Sequence, residues 1–426
     1  MVRSVTPAGR LSGPDLRARL RWFGVLSVAF FSPPSAVLVL WLAVHRIPGV
    51  APFAADSLRV VLGIDGVARL EEFAYGMEDR FNRVWHEGEK PKAYWTVPAP
   101  QPARAEPASS AVPSLHPGAA GPAVEGGDGL PPFRPRDIGP VHASWSAPGD
   151  GQWIVLPDGT APEDARMYKT LLHPDELRSW AELFVVALDL RRIQLHLVAG
   201  TQEPQATAKE AMDVQRPGRI PDEQQASVVA AFNGGFKTEH GHYGMAANGV
   251  TLVPARDEAC TIAYFKDHSL RIAAAAKLTD QLEETLWWRQ TPNCMFEGGK
   301  MNPRLADGFV KKWGSTLDGE TVIRRSAMGL DAAGTTLFVG ISNHTTAPAI
   351  ALGMRHAGAL SVAQLDINYS FPKFVTFRVS GASRQRLAVP VAEGFEASEN
   401  EYLRKPSTRD FFYVTAASRD GRTASK

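Results

Sequence analysis

A stretch of 23 residues without a charged side chain, 22–44, constrains this chain more than any other feature. An α-helix needs roughly 20 apolar residues to cross a bilayer. A cleaved signal peptide usually has an apolar region of only about 7–15 residues, so we expect a retained transmembrane signal anchor over 22–46. The alternatives are a cleaved signal peptide and a hairpin of two apolar halves divided at Pro33 and Pro34, because proline disrupts an isolated helix.

The charges on either side of this stretch predict its orientation. Five arginines and one aspartate precede it, whereas Arg46 and Arg59 follow it. Because a positively charged flank stays in the cytoplasm, we expect a single-pass protein with a cytoplasmic tail, 1–21. The main domain would then be periplasmic or extracellular, and the inner membrane would be a partner of the N-terminal helix.

The composition changes twice after the predicted anchor. Residues 51–97 place apolar side chains among charged ones at helical spacing, which predicts a juxtamembrane helical stalk. Residues 98–150 are rich in Pro, Ala and Gly and cannot bury enough apolar surface to fold, so they predict a disordered linker. Strand and turn signals then alternate over 151–417, the predicted folded domain, and 418–426 form a short tail.

The predicted domain belongs to the α+β class, with a mixed β-sheet and flanking helices. Apolar runs predict strands over 183–190, 194–199, 227–232, 335–342 and 360–365. Residues 347–357 predict a helix, and Gly358 follows where a C-cap glycine belongs. A strand–helix–strand order indicates a crossover, so we expect parallel as well as antiparallel pairs in the sheet.

Composition argues against several classes of function. The net charge is +1 and there is no tract of Lys and Arg interleaved with aromatic residues, so we predict no nucleic-acid partner. Cys260 and Cys294 are the only cysteines, too few for a thiolate zinc cluster. They can form one disulfide, worth about 3 kcal/mol of unfolding free energy in the chain-entropy model, or remain two buried thiols.

Three segments have residue types that suit chemistry on a sugar or a phosphate. In the first, an apolar run ends at Asn233 and is followed by Gly234 and Gly235. Glycines permit positive φ and let backbone N–H groups approach an anion, while Asn233 could orient a sugar hydroxyl or a phosphate oxygen. The alternative is a hairpin, because Asn-Gly is the strongest short turn signal.

The other two segments contribute an arginine and a carboxylate. Arg325 precedes a run of small residues, and a guanidinium can donate two parallel hydrogen bonds to a phosphate. Asp366 follows the apolar run 360–365, at a strand end of the kind where ligands collect in α/β sheets. The structural alternative for the arginine is a strand in which Arg324 and Arg325 alternate, one exposed and one paired with a carboxylate such as Asp331. The structural alternative for Asp366 is a cap of the following turn.

His240, His242 and Tyr243 form a small cluster downstream of the glycines. A metal site needs three or four convergent ligands, and the nearby Glu239 would face away from both histidines on an extended chain. We therefore predict no metal and no cofactor, and expect these side chains to lie on a solvated or substrate-lining loop.

In order and spacing, residues 233–236, 325–329 and 365–366 resemble the phosphodiester glycosidase family, in a divergent, bacterial-type branch, over roughly residues 150–417. The resemblance implies a hydrolase acting on a sugar phosphodiester or a related envelope glycan. It implies Asp366 as the catalytic carboxylate, Arg325 on the phosphate and Asn233 on the sugar. The substrate-binding residues would be Gly234, Gly235, His240, His242, Tyr243, Asn368 and Ser370.

The chain departs from the family's pattern after Asp366. Where the family has a run of glycines and then serine, this chain has INYSFP over 367–372. These side chains shield the backbone N–H groups that would contact a phosphate, although Asn368 or Ser370 can offer side-chain hydrogen bonds instead. A non-catalytic glycan-binding module or an envelope scaffold on the same fold is therefore the alternative function.

Overall fold

The computed structural model describes residues 73–96, 130–306, 313, 322–368, 370–381 and 385–417. The predicted cytoplasmic tail, the predicted anchor and most of the predicted linker lie outside these residues, as do 418–426. No helix within the described ranges is long and apolar enough to cross a membrane.

The secondary structure is dominated by short strands. In chain order the strands are β1 (Ile154–Val155), β2 (Met167–Leu172), β3 (Leu183–Asp189), β4 (Ile193–Val198), β5 (Val228–Asn233), β6 (Met245–Ala247), β7 (Val250–Val253), β8 (Cys260–Phe265), β9 (Leu270–Ala274), β10 (Thr285–Thr291), β11 (Phe296–Glu297), β12 (Lys300–Met301), β13 (Ile323–Leu330), β14 (Thr336–Thr345), β15 (Ser361–Ile367), β16 (Phe374–Val379), β17 (Arg386–Pro390) and β18 (Phe411–Ala416). The α-helices are α1 (73–85), α2 (Pro303–Ala306) and α3 (Ala347–His356). Short 3₁₀ helices occur at Pro162–Asp164, Lys209–Ala211, Asp222–Gln224, Thr238–His240, Ala275–Lys277 and Thr279–Glu284.

The strands form three sheets. The first has eight strands in the order β1-β2-β3-β14-β13-β15-β11-β12. The second has the order β17-β16-β5-β18-β4, and the third has the order β7-β6-β10-β8-β9. All ladders between these named strands are antiparallel. A sheet-dominated domain with few helices agrees with the α+β class expected from the sequence.

The predicted crossover is present, but it does not produce a parallel pair. Helix α3 connects β14 and β15, which run in the same direction. Strand β13 lies between them and pairs antiparallel with both. The strand–helix–strand order led us to expect a parallel pair as well as antiparallel ones. The structure has only antiparallel pairs here, because β13, the hairpin partner of β14, lies between β14 and β15.

Helix α3 follows its sequence signals closely. Thr346 caps the N-terminus, its Oγ1 accepting a hydrogen bond from the backbone N–H of Ala349 at 3.3 Å. After the helix, Gly358 has φ +116°, as expected of a glycine that ends a helix. The buried side of the helix, which includes Ile350 and Met354, packs against one face of the eight-stranded sheet.

The eight-stranded sheet is buried on both faces, which accounts for its nearly continuous apolar runs. In β3, Phe184, Val186 and Leu188 join a large core shared with the two five-stranded sheets, whereas Leu183 and Val185 face the α3 side. The alternation of β-strand side chains thus divides one apolar run between two cores. The described residues all belong to one compact unit, Ala68–Lys426.

Cys260 and Cys294 are joined by a disulfide across 34 residues of sequence. Cys260 begins β8 and Cys294 lies between β10 and β11, and both are buried in the large core beside the third sheet. The bond closes a loop that contains the whole of β9 and β10.

We expect removal of this disulfide to destabilise the domain. Closure of a loop of 34 residues limits the unfolded chain and stabilises the fold by roughly 3–4 kcal/mol. Replacing both cysteines by alanine should lower the unfolding free energy by that amount in chemical denaturation, and reductant should have no further effect. A wild-type denaturation midpoint that is equal with and without reductant would contradict this expectation.

Candidate functional site

The ends of β5 and β15 meet where the eight-stranded sheet faces the second sheet. The backbone N–H of Asp366 donates to the carbonyl of Gly234 at 3.0 Å. Asn233 donates from Nδ2 to Ser326 Oγ at 2.8 Å, and that hydroxyl donates to the carbonyl of Asp366 at 3.0 Å. The structure therefore brings Asn233 and Asp366 together, through a serine that lies on β13.

A β-bulge in β15 decides which way Asp366 points. Arg325 lies opposite Ile367 and Ala327 opposite Gln364, so that two residues of β15, Leu365 and Asp366, oppose the single residue Ser326. An extra residue of this kind shifts the alternation of side chains between the faces. Gln364 stays on the α3 side, where its Nε2 donates to the carbonyl of Trp313 at 2.8 Å, whereas Asp366 faces the second sheet.

The partner of Asp366 is Arg409, the residue two positions before β18. Nη2 of Arg409 lies 2.7 Å from Oδ2 of Asp366, and both residues are more than nine-tenths buried. The guanidinium carbon also lies 4.7 Å from the ring centroid of Phe371, in cation–π geometry. Nε of Arg409 is buried and has no hydrogen-bond acceptor among the described residues. The pair thus retains one unused, charge-assisted donor.

The two glycines after β5 approach an anion of the protein itself. The backbone N–H of Gly234 donates to the carbonyl of Asp410 at 2.9 Å, and that of Gly235 donates to Asp410 Oδ2 at 2.9 Å. Neither glycine has a positive φ. A Cβ at Gly234 would overlap Asp410 Oδ2 and lie 2.5 Å from its backbone oxygen, so glycine is required for close approach rather than for a left-handed backbone.

Arg289 on β10 completes the surroundings of Asp410. Its Nε donates to Asp410 Oδ2 at 2.9 Å, with both side chains fully buried. Its remaining N–H groups donate to the carbonyls of Phe236 at 2.6 Å and Tyr243 at 3.1 Å. This buried ion pair therefore connects β10 of the third sheet with Asp410, which directly precedes β18. Both members of the pair also bind the glycine segment.

The electrostatic environment makes Asp366 a weak acid. Burial raises the pKa of its carboxyl to about 6; Arg409 opposes this rise and the neighbouring carboxylate of Asp410 adds to it. Asp366 is therefore mainly ionised at neutral pH but takes up a proton in mildly acidic solution. A pKa near neutrality suits a group that exchanges protons during a reaction.

The structure places Arg325 away from this site, on the α3 side of the eight-stranded sheet. Its Nε donates to the carbonyl of Thr345 at 3.0 Å and its Nη1 to Gln364 Oε1 at 3.3 Å. Burial lowers the pKa of the guanidinium to about 9. The alternative partner Asp331 instead accepts from the backbone N–H of Thr335 at 2.8 Å, capping the β13–β14 turn. The predicted convergence of Arg325 with Asn233 and Asp366 in one site is therefore not observed.

The histidine cluster lies on a turn rather than on a strand. His240 ends a 3₁₀ turn, His242 has φ +51°, and both are exposed. Tyr243 is half-buried, packs edge-on against Phe236 with ring centroids 6.0 Å apart, and has a pKa raised by burial. The backbone carbonyl of Tyr243 accepts from Arg289, which also pairs with Asp410. Arg289 therefore links this turn to the Asp366 site.

Asn368 and Ser370 form a local hydrogen-bonded turn in the segment that replaces the family's glycines. Oδ1 of Asn368 accepts from the backbone N–H of Ser370 at 3.1 Å and from its hydroxyl at 3.2 Å. This turn is therefore capped by Asn368, and not by Asp366 as the structural alternative for that carboxylate expected. Throughout the described ranges, no group of three or more His, Cys, Asp or Glu side chains is arranged to hold a metal ion.

Sequence reasoning missed Arg409 and Asp410, although a signal for them was present. It considered polar residues at the ends of apolar runs, whereas these two precede one, 411–416. Because β18 pairs antiparallel with β5, with Phe411 opposite Asn233, the start of one strand lies beside the end of the other. A charged pair before an apolar run is thus as informative as one after it.

Comparison with known proteins gives only remote similarities. No protein-family model matches this sequence, and no curated protein matches it. The catalytic domain of zebrafish N-acetylglucosamine-1-phosphodiester alpha-N-acetylglucosaminidase, auto-inhibited by its pro-peptide, is similar with a TM-score of 0.38 and 11% identity, covering 63% of this chain and 87% of that one. A protein from Synechocystis has a TM-score of 0.33 and 10% identity, covering 59% and 62% of the two chains. Likenesses this remote assign no role to any residue of this chain.

We expect alanine at position 234 to disrupt the site. The added methyl group would displace Asp410 from Arg289, and overpacking together with a broken buried ion pair should lower the unfolding free energy by about 3 kcal/mol or more. Gly381→Ala is a matched control, because a methyl group there meets nothing within 4 Å. Equal denaturation midpoints for the two variants would refute the close-approach argument.

The raised pKa of Asp366 predicts a pH-dependent stability. Folding raises this pKa from the ordinary 3.8 to about 6, so the stability linked to it is complete below the unfolded value and is lost as pH rises through the folded one. At about 1.36 kcal/mol per pKa unit, the whole titration of Asp366 is worth roughly 3 kcal/mol, of which about 2.4 kcal/mol of unfolding free energy should be lost between pH 4 and 7.

Denaturation of Asp366→Asn across this pH range measures that contribution, because asparagine does not titrate. The variant should lack the decline in unfolding free energy. Asp222→Asn is the control, since the Asp222 carboxyl is exposed and paired with Arg219, and it should retain the decline. Parallel curves for wild type and Asp366→Asn would show that the carboxyl is not perturbed.

Proposed function

We propose that this domain hydrolyses a sugar phosphodiester, or a related phosphate-linked envelope glycan, with Asp366 and Arg409 acting at the bond that is cleaved. The observation that carries the proposal is the buried Asp366–Arg409 pair, 2.7 Å apart, in which Arg409 Nε has no acceptor among the described residues. A carboxyl group whose pKa burial raises to about 6 thus lies beside a cation that has a hydrogen-bond donor without an acceptor. The motifs that resemble phosphodiester glycosidases support the same class of reaction.

The chemistry of the bond explains why these two groups suffice. Cleavage between the anomeric carbon and the phosphate oxygen releases a phosphate monoester, which is already a stabilised anion and needs no proton from the enzyme. Water supplies the new oxygen at the anomeric carbon, and ionised Asp366 takes up one proton from that water. Arg409 donates hydrogen bonds to the phosphate and stabilises its charge as the bond breaks. The products are the free sugar and the phosphate monoester.

Within this proposal, Arg409 takes the phosphate-binding role that the sequence predicted for Arg325. The guanidinium of Arg325 binds Thr345 and Gln364 on the other face of the sheet. Asn233 is a positioning residue rather than a direct sugar ligand, because its amide already donates to Ser326 and accepts from the backbone N–H of Lys373 at 3.1 Å.

The expected location is outside the cytoplasm, as the predicted signal anchor implies. A disulfide between Cys260 and Cys294 is consistent with an oxidising compartment. The exposed His240 and His242 are the proposed contacts for the sugar beyond the phosphate, since their turn is linked to the Asp366 site through Tyr243 and Arg289.

A test uses the purified full chain with a panel of N-acetylhexosamine and hexose 1-phosphodiesters, following the released sugar. Asp366→Asn should lower the rate about 10²–10⁴-fold, the range for loss of a general base. The wild-type rate should rise with pH through about 6, because the base acts only when ionised. Asp222→Asn should keep wild-type activity; full activity in Asp366→Asn would overturn the assignment of the carboxylate.

Arg409→Lys and Arg325→Lys form a matched pair of buried arginines on opposite faces of the sheet. Arg409→Lys should lose about 10–100-fold in activity, as expected when a charge-assisted hydrogen bond worth about 1.5–3 kcal/mol is weakened. Arg325→Lys, compared at equal folded fraction by thermal denaturation, should retain activity. The reverse ranking would return the phosphate role to Arg325.

A non-catalytic glycan-binding module is the second candidate, because Asp366 is already ion-paired and only 4% exposed. This candidate predicts saturable binding of the same phosphodiesters, weakened in Arg409→Lys, with no sugar released at any pH. An envelope scaffold predicts neither binding nor turnover.

A further inference from the structure

Helix α1 presents its large apolar side chains to the outside of the domain. We call Phe73, Met77, Phe81, Val84 and Trp85 the α1 face; each is exposed, from 49% for Met77 to 75% for Val84. At about 100° per residue, these positions share one side of the helix. A globular domain normally buries such a side against its core, so a contiguous exposed one indicates a binding surface.

The opposite side of α1 is attached to the domain. Both oxygens of Asp79 accept from Arg178, Oδ1 from Nε at 2.7 Å and Oδ2 from Nη2 at 2.8 Å. Beyond the helix, the ring of His86 lies 5.2 Å from that of Trp180. Turning the α1 face inward would break this bidentate ion pair, whose arginine is largely buried. The outward orientation is therefore built into the structure.

Two arginines stand at the edge of the α1 face. Arg80 and Arg83 make no hydrogen bond or ion pair with another described residue. Together with Val84, Trp145 and Trp180 they line a cavity of about 460 Å³ beside the face, whose other wall includes the exposed Leu177. Long basic side chains beside exposed apolar and aromatic groups are typical of helices that lie in a membrane interface, where the guanidinium groups reach lipid phosphates.

The position of α1 in the chain favours a bilayer over other occupants. Residues 47–72 separate it from the predicted anchor. Fully extended, they span roughly 90 Å, so the tether keeps the α1 face within reach of the same bilayer. A tether of this kind makes binding intramolecular, and a weak intrinsic affinity is then enough.

We propose that α1 lies in the interface of this bilayer, with its apolar face towards the acyl chains and Arg80 and Arg83 at the lipid phosphates. The contact would hold the domain against the membrane surface, in addition to the covalent tether. It requires the predicted anchor but is independent of the proposed hydrolysis.

The test places an environment-sensitive fluorophore on α1 in the full chain, reconstituted in phosphatidylethanolamine–phosphatidylglycerol vesicles. Met77→Cys provides the attachment site on the α1 face, since the two natural cysteines are joined in the disulfide. Val379→Cys, exposed at the end of β16, is the matched control. We expect blue-shifted emission at position 77, with quenching by nitroxide on the lipid acyl chains at least fivefold stronger than at position 379.

A second substitution separates membrane contact from a local effect of the label. Adding Phe81→Glu and Val84→Glu to the labelled Met77→Cys chain should restore aqueous emission and reduce lipid quenching to the level at position 379. Equal quenching at positions 77 and 379 overturns the proposal. So does a water-shielded probe that lipid does not quench, which would mean that a second copy or the apolar segment 22–44 covers the face. Hydrolysis measured in detergent is expected to be the same for the parent and glutamate variants, so this test and that of the proposed function fail separately.

Discussion

The buried carboxylate of Asp410 is the interaction on which the rest of the site depends. It accepts hydrogen bonds from Arg289 on the third sheet and from the backbone N–H of Gly235 after β5. The backbone N–H of Asp366, on the first sheet, donates to the carbonyl of Gly234. Removing a charge from water is costly unless hydrogen bonds and a counter-charge compensate for the lost hydration. The hydrogen bonds of this one anion therefore join the second and third sheets, and the adjacent Gly234 joins the first sheet to them.

The same constraint explains why the reactive pair stands where it does. Arg409 directly precedes Asp410, so the anchoring of Asp410 delivers the neighbouring guanidinium to the carboxyl of Asp366. The two carboxyls lie close enough for Asp410 to raise the pKa of Asp366, while Arg409 opposes that rise. The structural ion pair and the proposed catalytic pair are thus adjacent and coupled, and one is fully buried while the other retains an unused donor.

Much of the fold follows from local patterns that the sequence contains. The apolar runs at 183–190 and 360–365 become β3 and β15, and the helix predicted over 347–357 becomes α3, with its Thr346 cap. Asn233 and Asp366 were predicted from strand ends, and the structure brings them together. The same reasoning also placed Arg325 in this site, whereas its guanidinium lies on the α3 side of the sheet. The bulge that turns Asp366 away from the Arg325 side depends on pairing with β13, which no periodicity within β15 records.

What the sequence by itself determined is the set of elements and the chemistry available at their ends: apolar runs long enough for strands, a capped helix, two glycines without side chains, and a few charged groups beside them. Only the tertiary structure decided which charges meet. Antiparallel pairing placed the start of β18 against the end of β5, and the anion that the glycines approach proved to be Asp410. The physical reason is that helix and strand signals are local, whereas the partner of a buried charge is chosen by the packing of sheets distant in sequence.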